Sequence, residues 1–211
     1  MAVRRDQLYV HPTWLARLMA GDANCEWATW YRAHYRDWSR PPSDFDEAKY
    51  TLEHTSLARE LRDQRGPDEK LFFERQSSFW YTHRSGVRMS CTPDLVSVNG
   101  PQDCIYDARA GQPRAFHKLQ VLIFMYTAAR SENMAFYGRR FAGGLHYAGQ
   151  SIAIAAEETD GAFEEKFDFW LNLLAADQPL QRFPSQQECR LCNIGKADCP
   201  DRLAEAAIEE L

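Results

Sequence analysis

Apolar positions along the chain recur at helical intervals in its first third, at strand intervals through its middle, and at helical intervals again towards its end. Trp14, Leu15 and Leu18 make one face of a helix within residues 8–20, with Thr13 as its N-cap or Pro12 in its first turn. Gly21-Asp22-Ala23-Asn24 breaks that pattern. C-E-W-A-T-W-Y-R-A-H-Y then predicts a second helix, with Trp27, Trp30, Tyr31 and His34 in register and Cys25 at its start. The polar stretch 36–50, with Pro41 and Pro42, reads as a connector or a lid over the groove. A third helix over 50–64 carries His54, Leu57 and Leu61 and stops at Gly66-Pro67.

Strands are predicted over 71–79 with an extension to 84, over 87–98 and over 104–108. Ser85-Gly86 and Asn99-Gly100-Pro101 lie where hairpins need turns. The run 116–130 is apolar nearly all round, which predicts a helix packed closely on a sheet. A further strand is expected at M-A-F-Y-G-R-R-F (134–141), and a pair at 144–147 and 150–156. Phe163, Phe167, Trp170, Leu171 and Leu174 stripe a helix over 161–176. Q-P-L-Q-R-F-P-S then leads in extended form to a cysteine cluster and a final helix over 201–211. This order predicts an α/β fold, a mixed central sheet flanked by helices. One domain is expected over 1–211: a helical part (1–50) carrying Cys25, a core (51–160), and a C-terminal helix with the cysteine cluster (161–211).

The length of 211 residues suits such a domain. No run of about 18 apolar residues predicts a membrane span. M-A-V-R-R-D-Q-L lacks the apolar core of a secretory signal, so a cytoplasmic location is the expectation. A net charge of −5 argues against a general nucleic-acid coating protein, though not against a local basic cleft. Arg36 and Arg40, Arg109 and Arg114, and Arg139 and Arg140 lie close in sequence, which surface scatter also explains.

The stretch 90–126 concentrates the candidate chemistry. Asp94 opens one short apolar strand, Asp107 stands near the end of the next, and Arg109 follows at i+2, on the same strand face. Two acids at neighbouring strand ends can share a divalent cation, with a carbonyl near Ala108 completing the shell; turn-capping carboxylates are the other reading. His54 is a candidate third ligand or an ordinarily packed helix histidine. Gln120, in so apolar a helix, needs a partner if buried, and a substrate phosphate or a bound water would serve. His117 reads as a groove or surface residue, and Glu74 as a further carboxylate of unclear facing. Cys189, Cys192 and Cys199 form C-x2-C-x6-C, a ligand spacing, with Cys25 available as a fourth. Metal binding fits a cytoplasmic chain better than disulfides, and a thiol at a helix N-terminus is favoured as thiolate. Cys91 and Cys104 read as buried free thiols. Trp27, Trp30, Tyr31 and Trp80 could stack on unpaired bases, with core packing the blander reading.

Taken in order, these segments resemble the PD-(D/E)XK nuclease superfamily. The closest likeness is to its iron–sulfur RecB-like branch, which includes CRISPR-associated adaptation exonucleases and the nuclease domain of AddB. The likeness spans nearly the whole chain. W-L-A-R-L-M-A-G-D-A-N-C-E-W-A-T-W-Y matches the family's opening helix and first cluster cysteine, Cys25. L-E-H-T-S-L-A-R-E-L matches its helix histidine at His54, and C-T-P-D its first acid at Asp94. D-A-R stands for its (D/E)-x-K, with Asp107 as the acid and Arg109 in the lysine's place. Q-V-L-I-F stands for Q-x-x-x-Y, with Gln120 matching and Phe124 replacing tyrosine. G-G-L-H-Y matches a late strand, and Cys189, Cys192 and Cys199 the terminal cysteines.

The resemblance implies a restriction-endonuclease-like core with Mg²⁺ or Mn²⁺ on His54, Asp94 and Asp107, and with Asp94, Asp107, Arg109 and Gln120 as catalytic residues. It implies a [4Fe–4S] cluster on Cys25, Cys189, Cys192 and Cys199; Zn²⁺ suits four such ligands equally by type. The implied activity is a metal-dependent DNA exonuclease on single-stranded ends or overhangs, such as prespacer trimming in CRISPR adaptation. Because arginine does not readily lose its proton, the alternative is a weakened or inactive DNA-binding or scaffolding subunit, with an integrase-type protein as a possible partner. No membrane partner is expected.

Overall fold

Proline and glycine set most of the element boundaries in the computed structural model, which describes residues 2–42 and 45–203. The greater part of the helix expected over 201–211 lies outside the described residues. The chain opens with β1 (Val3–Arg4) and α1 (Pro12–Ala20). The N-cap of α1 is His11 rather than Thr13. Its ring accepts from the Thr13 backbone N–H at 3.2 Å, and Pro12 takes the first turn, where no N–H is needed. Gly21 ends α1 at φ +70°, a left-handed conformation that favours glycine. α2 (Glu26–His34) and β2 (Tyr35–Arg36) follow, and β2 pairs antiparallel with β1. α3 (Glu47–Asp63) is capped by Asp46, which accepts from Lys49 N–H at 2.9 Å.

The middle of the chain departs from the predicted strands in an instructive way. The expected strand at 71–79 is β3 (Lys70–Phe73), a 3-10 turn (Glu74–Ser77) and β4 (Phe79–Thr82). The chain turns at Glu74, whose φ is +54°. The expected strand at 87–98 is likewise two, β5 (Arg88–Cys91) and β6 (Leu95–Val98). Thr92-Pro93 separates them, and proline has no N–H to give a ladder. β4 and β5 form a separate ribbon, whereas β3 and β6 enter the main sheet. β7 (Cys104–Ala108) lies where expected, and α4 (Ala115–Ala128) comes next.

No strand forms over 134–141. That segment is a series of turns in which the Phe136 and Tyr137 N–H groups both reach Asn133 O at 2.9 Å and Gly138, at φ +73°, donates to Ala129 O. Its apolar signal comes from two buried anchors, Phe136 and Phe141. β8 (Ala142–Tyr147), β9 (Gln150–Ile154), α5 (Gly161–Leu174) and α6 (Gln186–Leu191) complete the described elements.

The result is a mixed α/β fold with a central sheet flanked by helices. The five-stranded sheet runs β3-β6-β7-β8-β9; β7 and β8 are parallel and the other neighbours antiparallel. α4 packs between the sheet and α1, which explains why it is apolar almost all round. α3 lies on the opposite face over a small cluster of Leu57, Ala58 and Ala108 with Phe73. Among the described residues, no helix is long and apolar enough to cross a membrane.

Two adjacent glycines on β8 set the spacing of these layers. A Cβ on Gly143 would stand 2.6 Å from Val121 Cγ1 and 2.7 Å from Met125 Sδ on α4; one on Gly144 would stand 2.6 Å from the Tyr106 ring. Gly143→Ala is therefore expected to lower stability by about 1–3 kcal/mol through overpacking, read from the midpoint of chemical denaturation. An unchanged midpoint would mean that α4 does not rest on β8 as closely as these distances require.

Candidate functional site

The antiparallel register of β6 and β7 sets Leu95 opposite Tyr106. Asp94, just before β6, and Asp107, near the end of β7, therefore share one end of the sheet. Asp94 Oδ2 accepts from the Ala108 backbone N–H at 2.7 Å, and its Oδ1 lies 3.2 Å from His54 Nε2 on α3. Ala108 thus offers its N–H to Asp94. Asp107 is only 4% exposed and accepts from Arg109 Nε at 2.5 Å. The Arg109 backbone N–H in turn donates to His146 O on β8 at 2.8 Å. Four of the five residues predicted for the acid site (His54, Asp94, Asp107 and Arg109) come together here.

Electrostatics couples these groups. Burial pushes the Asp107 carboxyl well above the usual carboxylate range; the Arg109 charge opposes that, and the nearby Asp94 charge adds to it. Burial works to lower the Arg109 pKa, but the charges of Asp107 and Asp94 prevail and raise it. The Asp94 hydrogen bond raises the His54 pKa against the pull of burial. Tyr50, one turn earlier on α3, stacks on His54 with ring centroids 5.8 Å apart.

Gln120 is buried and does find a partner, but that partner is α1: Thr13 Oγ1 donates to Gln120 Oε1 at 2.9 Å. This bond brings the start of α1 to the site. Burial and the Arg109 charge lower the pKa of His11 there. Sequence reasoning missed His11, Tyr50 and Tyr147, since no local pattern marks a residue that reaches a site through tertiary packing. His117, expected in a groove or at the surface, is buried and pairs through Nδ1 with Tyr147 Oη at 2.8 Å. Glu74 is exposed, and its backbone N–H reaches Asp94 O at 3.4 Å.

Asp94, Asp107 and His54 offer two hard oxygen donors and an imidazole, a donor set that fits Mg²⁺ or Mn²⁺ by type. Asp107 is paired with the Arg109 guanidinium, and Asp94 lies against His54, whose pKa that contact raises. Among the described residues, no three His, Cys, Asp or Glu side chains converge as a ready-made metal cage. A bound cation would have to compete with the proton on His54.

The cysteines gather elsewhere. All six are free thiols. Cys25, at the N-cap of α2, lines one cavity with Cys189, Cys192 and Cys199 beside Trp27 and Ile194; it encloses about 340 Å³, part of it open to solvent. The Leu203 backbone N–H donates to Cys189 Sγ at 3.4 Å. The position at a helix start does not make Cys25 a ready thiolate. Burial pushes its thiol up, and the Ala28 and Phe183 backbone only partly offsets this. Four thiols around one cavity suit an iron–sulfur cluster or zinc by ligand type, though among the described residues no three of them converge at ligand geometry. Cys91 is buried and Cys104 half-buried, both away from this cavity.

Polar bonds tie the cysteine segment to the N-terminal helices. Asp198 accepts from Ser39 N–H at 2.7 Å and from Tyr31 Oη at 2.9 Å, and Glu188 accepts from Asn24 N–H at 2.8 Å.

No family model matches the chain, and no curated protein matches it in sequence. Among solved structures, the crystal structure of SSO0001 is similar over 95% of this chain and 89% of that one, with a TM-score of 0.52 at 14% identity. At that identity the likeness is one of fold.

The buried His117 gives a pH-dependent expectation. Burial, with the Arg109 and Arg114 charges, pushes its pKa from 6.5 down to about 4. The unfolded chain therefore binds this proton where the folded chain does not, and stability is lost as pH falls through that window. His117→Gln should lose less melting temperature than the wild type between about pH 7 and about pH 5. Equal losses would exclude His117 as the source.

Proposed function

We propose that this chain is a metal-dependent nuclease of the PD-(D/E)XK type acting on single-stranded DNA ends or overhangs. In this reading the core is restriction-endonuclease-like, and a [4Fe–4S] cluster on Cys25, Cys189, Cys192 and Cys199 ties its C-terminal segment to α2. The observation that carries the reading is the cluster of His54, Asp94, Asp107 and Arg109 at one end of β6 and β7.

His54, Asp94 and Asp107 would hold the divalent cation, which when bound supplies Lewis-acid polarisation of the scissile phosphate. The residues of the chain do the rest. The Ala108 N–H fixes one Asp94 oxygen, so the other keeps its direction towards the site. Arg109, in the position of the superfamily's lysine, stays charged and is a poor general base. Its contribution is a fixed positive charge, braced by Asp107 and by its backbone bond to His146, that binds charge developing on the phosphate. Thr13 orients Gln120 and closes the α1 side of the site.

A surface stripe supports a single-stranded substrate. Trp80, Tyr9, Trp14 and Trp38 follow one another with ring centroids 6.4, 6.0 and 6.4 Å apart. Arg88 lies over Trp80 at 4.5 Å, Arg5 over Tyr9 at 5.2 Å and Arg40 over Trp38 at 6.0 Å. Among the described residues, Arg5 and Arg40 have no carboxylate in ion-pair range, and Arg88 has Glu132 only at 3.8 Å. Trp14 also contacts His11, at 5.7 Å, beside the Arg109 charge. A chain of net charge −5 thus places rings and arginines side by side on a path to the acids, the combination that binds single strands by stacking and phosphate contact. Trp27 and Trp30 do not belong to this path; they are buried, stacked on Tyr31 and His34.

Arg109 in the lysine's place favours a second reading, a DNA-binding or scaffolding subunit with little activity of its own that serves an integrase-type partner.

Anaerobically purified protein with labelled single-stranded DNA and Mn²⁺ or Mg²⁺ separates the two. Cleavage abolished by Asp107→Ala is the expected result; binding without cleavage, unrescued by Arg109→Lys, would establish the scaffold. Trp80→Ala should weaken single-strand binding by about 1–3 kcal/mol, the worth of one stacked base. Metal analysis decides the cysteine site: iron lost in Cys192→Ala fits the cluster, whereas zinc in its place would replace it.

A further inference from the structure

A second cavity lies on the sheet face opposite α4, between the end of α3 and strands β7, β8 and β9, and has a volume of about 230 Å³. Side chains alternate along β8. Gly143 meets α4, so Gly144 and His146 face the other way, into this space. The Tyr106 ring packs over Gly144, where a Cβ would stand 2.6 Å from it. Leu61 and Ile152 make apolar walls, and Arg65, Tyr106, His146 and Ser151 bring polar groups. Asp107, opposite Leu145 on β7, faces α4 instead, so this cavity is not part of the acid site.

Two polar atoms at this cavity have no hydrogen-bond partner. His146 is 4% exposed; its Nδ1 pairs with Ser151 Oγ at 2.9 Å, but its Nε2 bonds to nothing. The nearest charge to that nitrogen, Glu60 Oε2, lies at 3.9 Å, beyond hydrogen-bond reach. Arg65 lies 4.7 Å over the Tyr106 ring and donates from NH1 to Tyr106 Oη at 2.7 Å, which leaves its Nε buried and unpartnered. Buried polar atoms are nearly always satisfied, so two orphans around one cavity call for an occupant. A guanidinium N–H is best met by an oxyanion, and the apolar walls suit the body of an organic molecule.

We propose that this cavity binds a small organic oxyanion, a carboxylate or a phosphate monoester, with the charged group on Arg65, an acceptor atom on His146 Nε2 and the apolar body along Leu61 and Ile152. The site is joined to the acid cluster by one residue. The carbonyl of His146 holds the Arg109 N–H at 2.8 Å, so a ligand that moves the His146 ring acts on the backbone that positions Arg109. This inference is independent of the nuclease reading and its test needs neither metal nor DNA.

The test follows the His146 ring nitrogens, the Arg65 Nε–H and the Arg109 amide by NMR while the full chain is titrated with benzoate and, separately, with phenyl phosphate. Saturable shifts at all three positions are expected, with the tighter of the two probes identifying the head group. Arg65→Lys keeps the charge but lacks the Nε–H, and should bind about tenfold more weakly, the worth of one charge-assisted hydrogen bond. Arg65→Met should abolish binding. No saturable shift with either probe would overturn the proposal, leaving water as the occupant; so would shifts that persist undiminished in both Arg65→Lys and Arg65→Met.

Discussion

One carboxylate holds the candidate site together. Asp94 spends one oxygen on the Ala108 N–H of β7 and the other on His54 of α3. That links β6, β7 and α3 at the point where two acids approach each other. Such an arrangement of like charges is unfavourable unless cations answer it. Here Arg109 answers Asp107, and Asp94 lies against His54, whose pKa that contact raises. The Arg109 backbone bond to β8 then extends the frame across the parallel strand pair. Removing either partner would leave a carboxylate with little solvent to compensate it, which is why the identity of residue 109 bears on folding as well as on chemistry.

Much of this was legible along the chain, and the exceptions have physical causes. Helices α1 to α5 follow apolar faces, and β7, β8 and β9 follow short apolar runs between turn residues. The strand boundaries that differed turn on Pro93 and on the positive φ at Glu74, which direct consecutive strands into different sheets. Segment 134–141 misled because Phe136 and Phe141 are buried as anchors of a turn, and burial without regular hydrogen bonding resembles a strand in sequence.

At the site, residue types at Asp94, Asp107 and Arg109 were visible because they sit in one continuous stretch. The partners of Gln120 and His117 were not, because Thr13 and Tyr147 reach them only after α1, α4 and β8 have packed. Of the aromatic row only Trp80 was a stacking candidate from the sequence, because the segments carrying Tyr9 and Trp14, Trp38, and Trp80 come together only in the fold.

The cysteine cavity has a temporal consequence. Cys25 emerges from the ribosome more than 160 residues ahead of Cys189. At about 5–20 residues per second, that interval is on the order of ten to thirty seconds. Throughout it, α2 can dock through its own apolar contacts and through α1 on α4, while its sulfur waits without companions. A cluster or zinc ion proposed for the cavity would therefore enter a domain whose sheet is already formed. It would act as a late lock on the product of folding, and its loss would release the C-terminal segment before it disturbed the core.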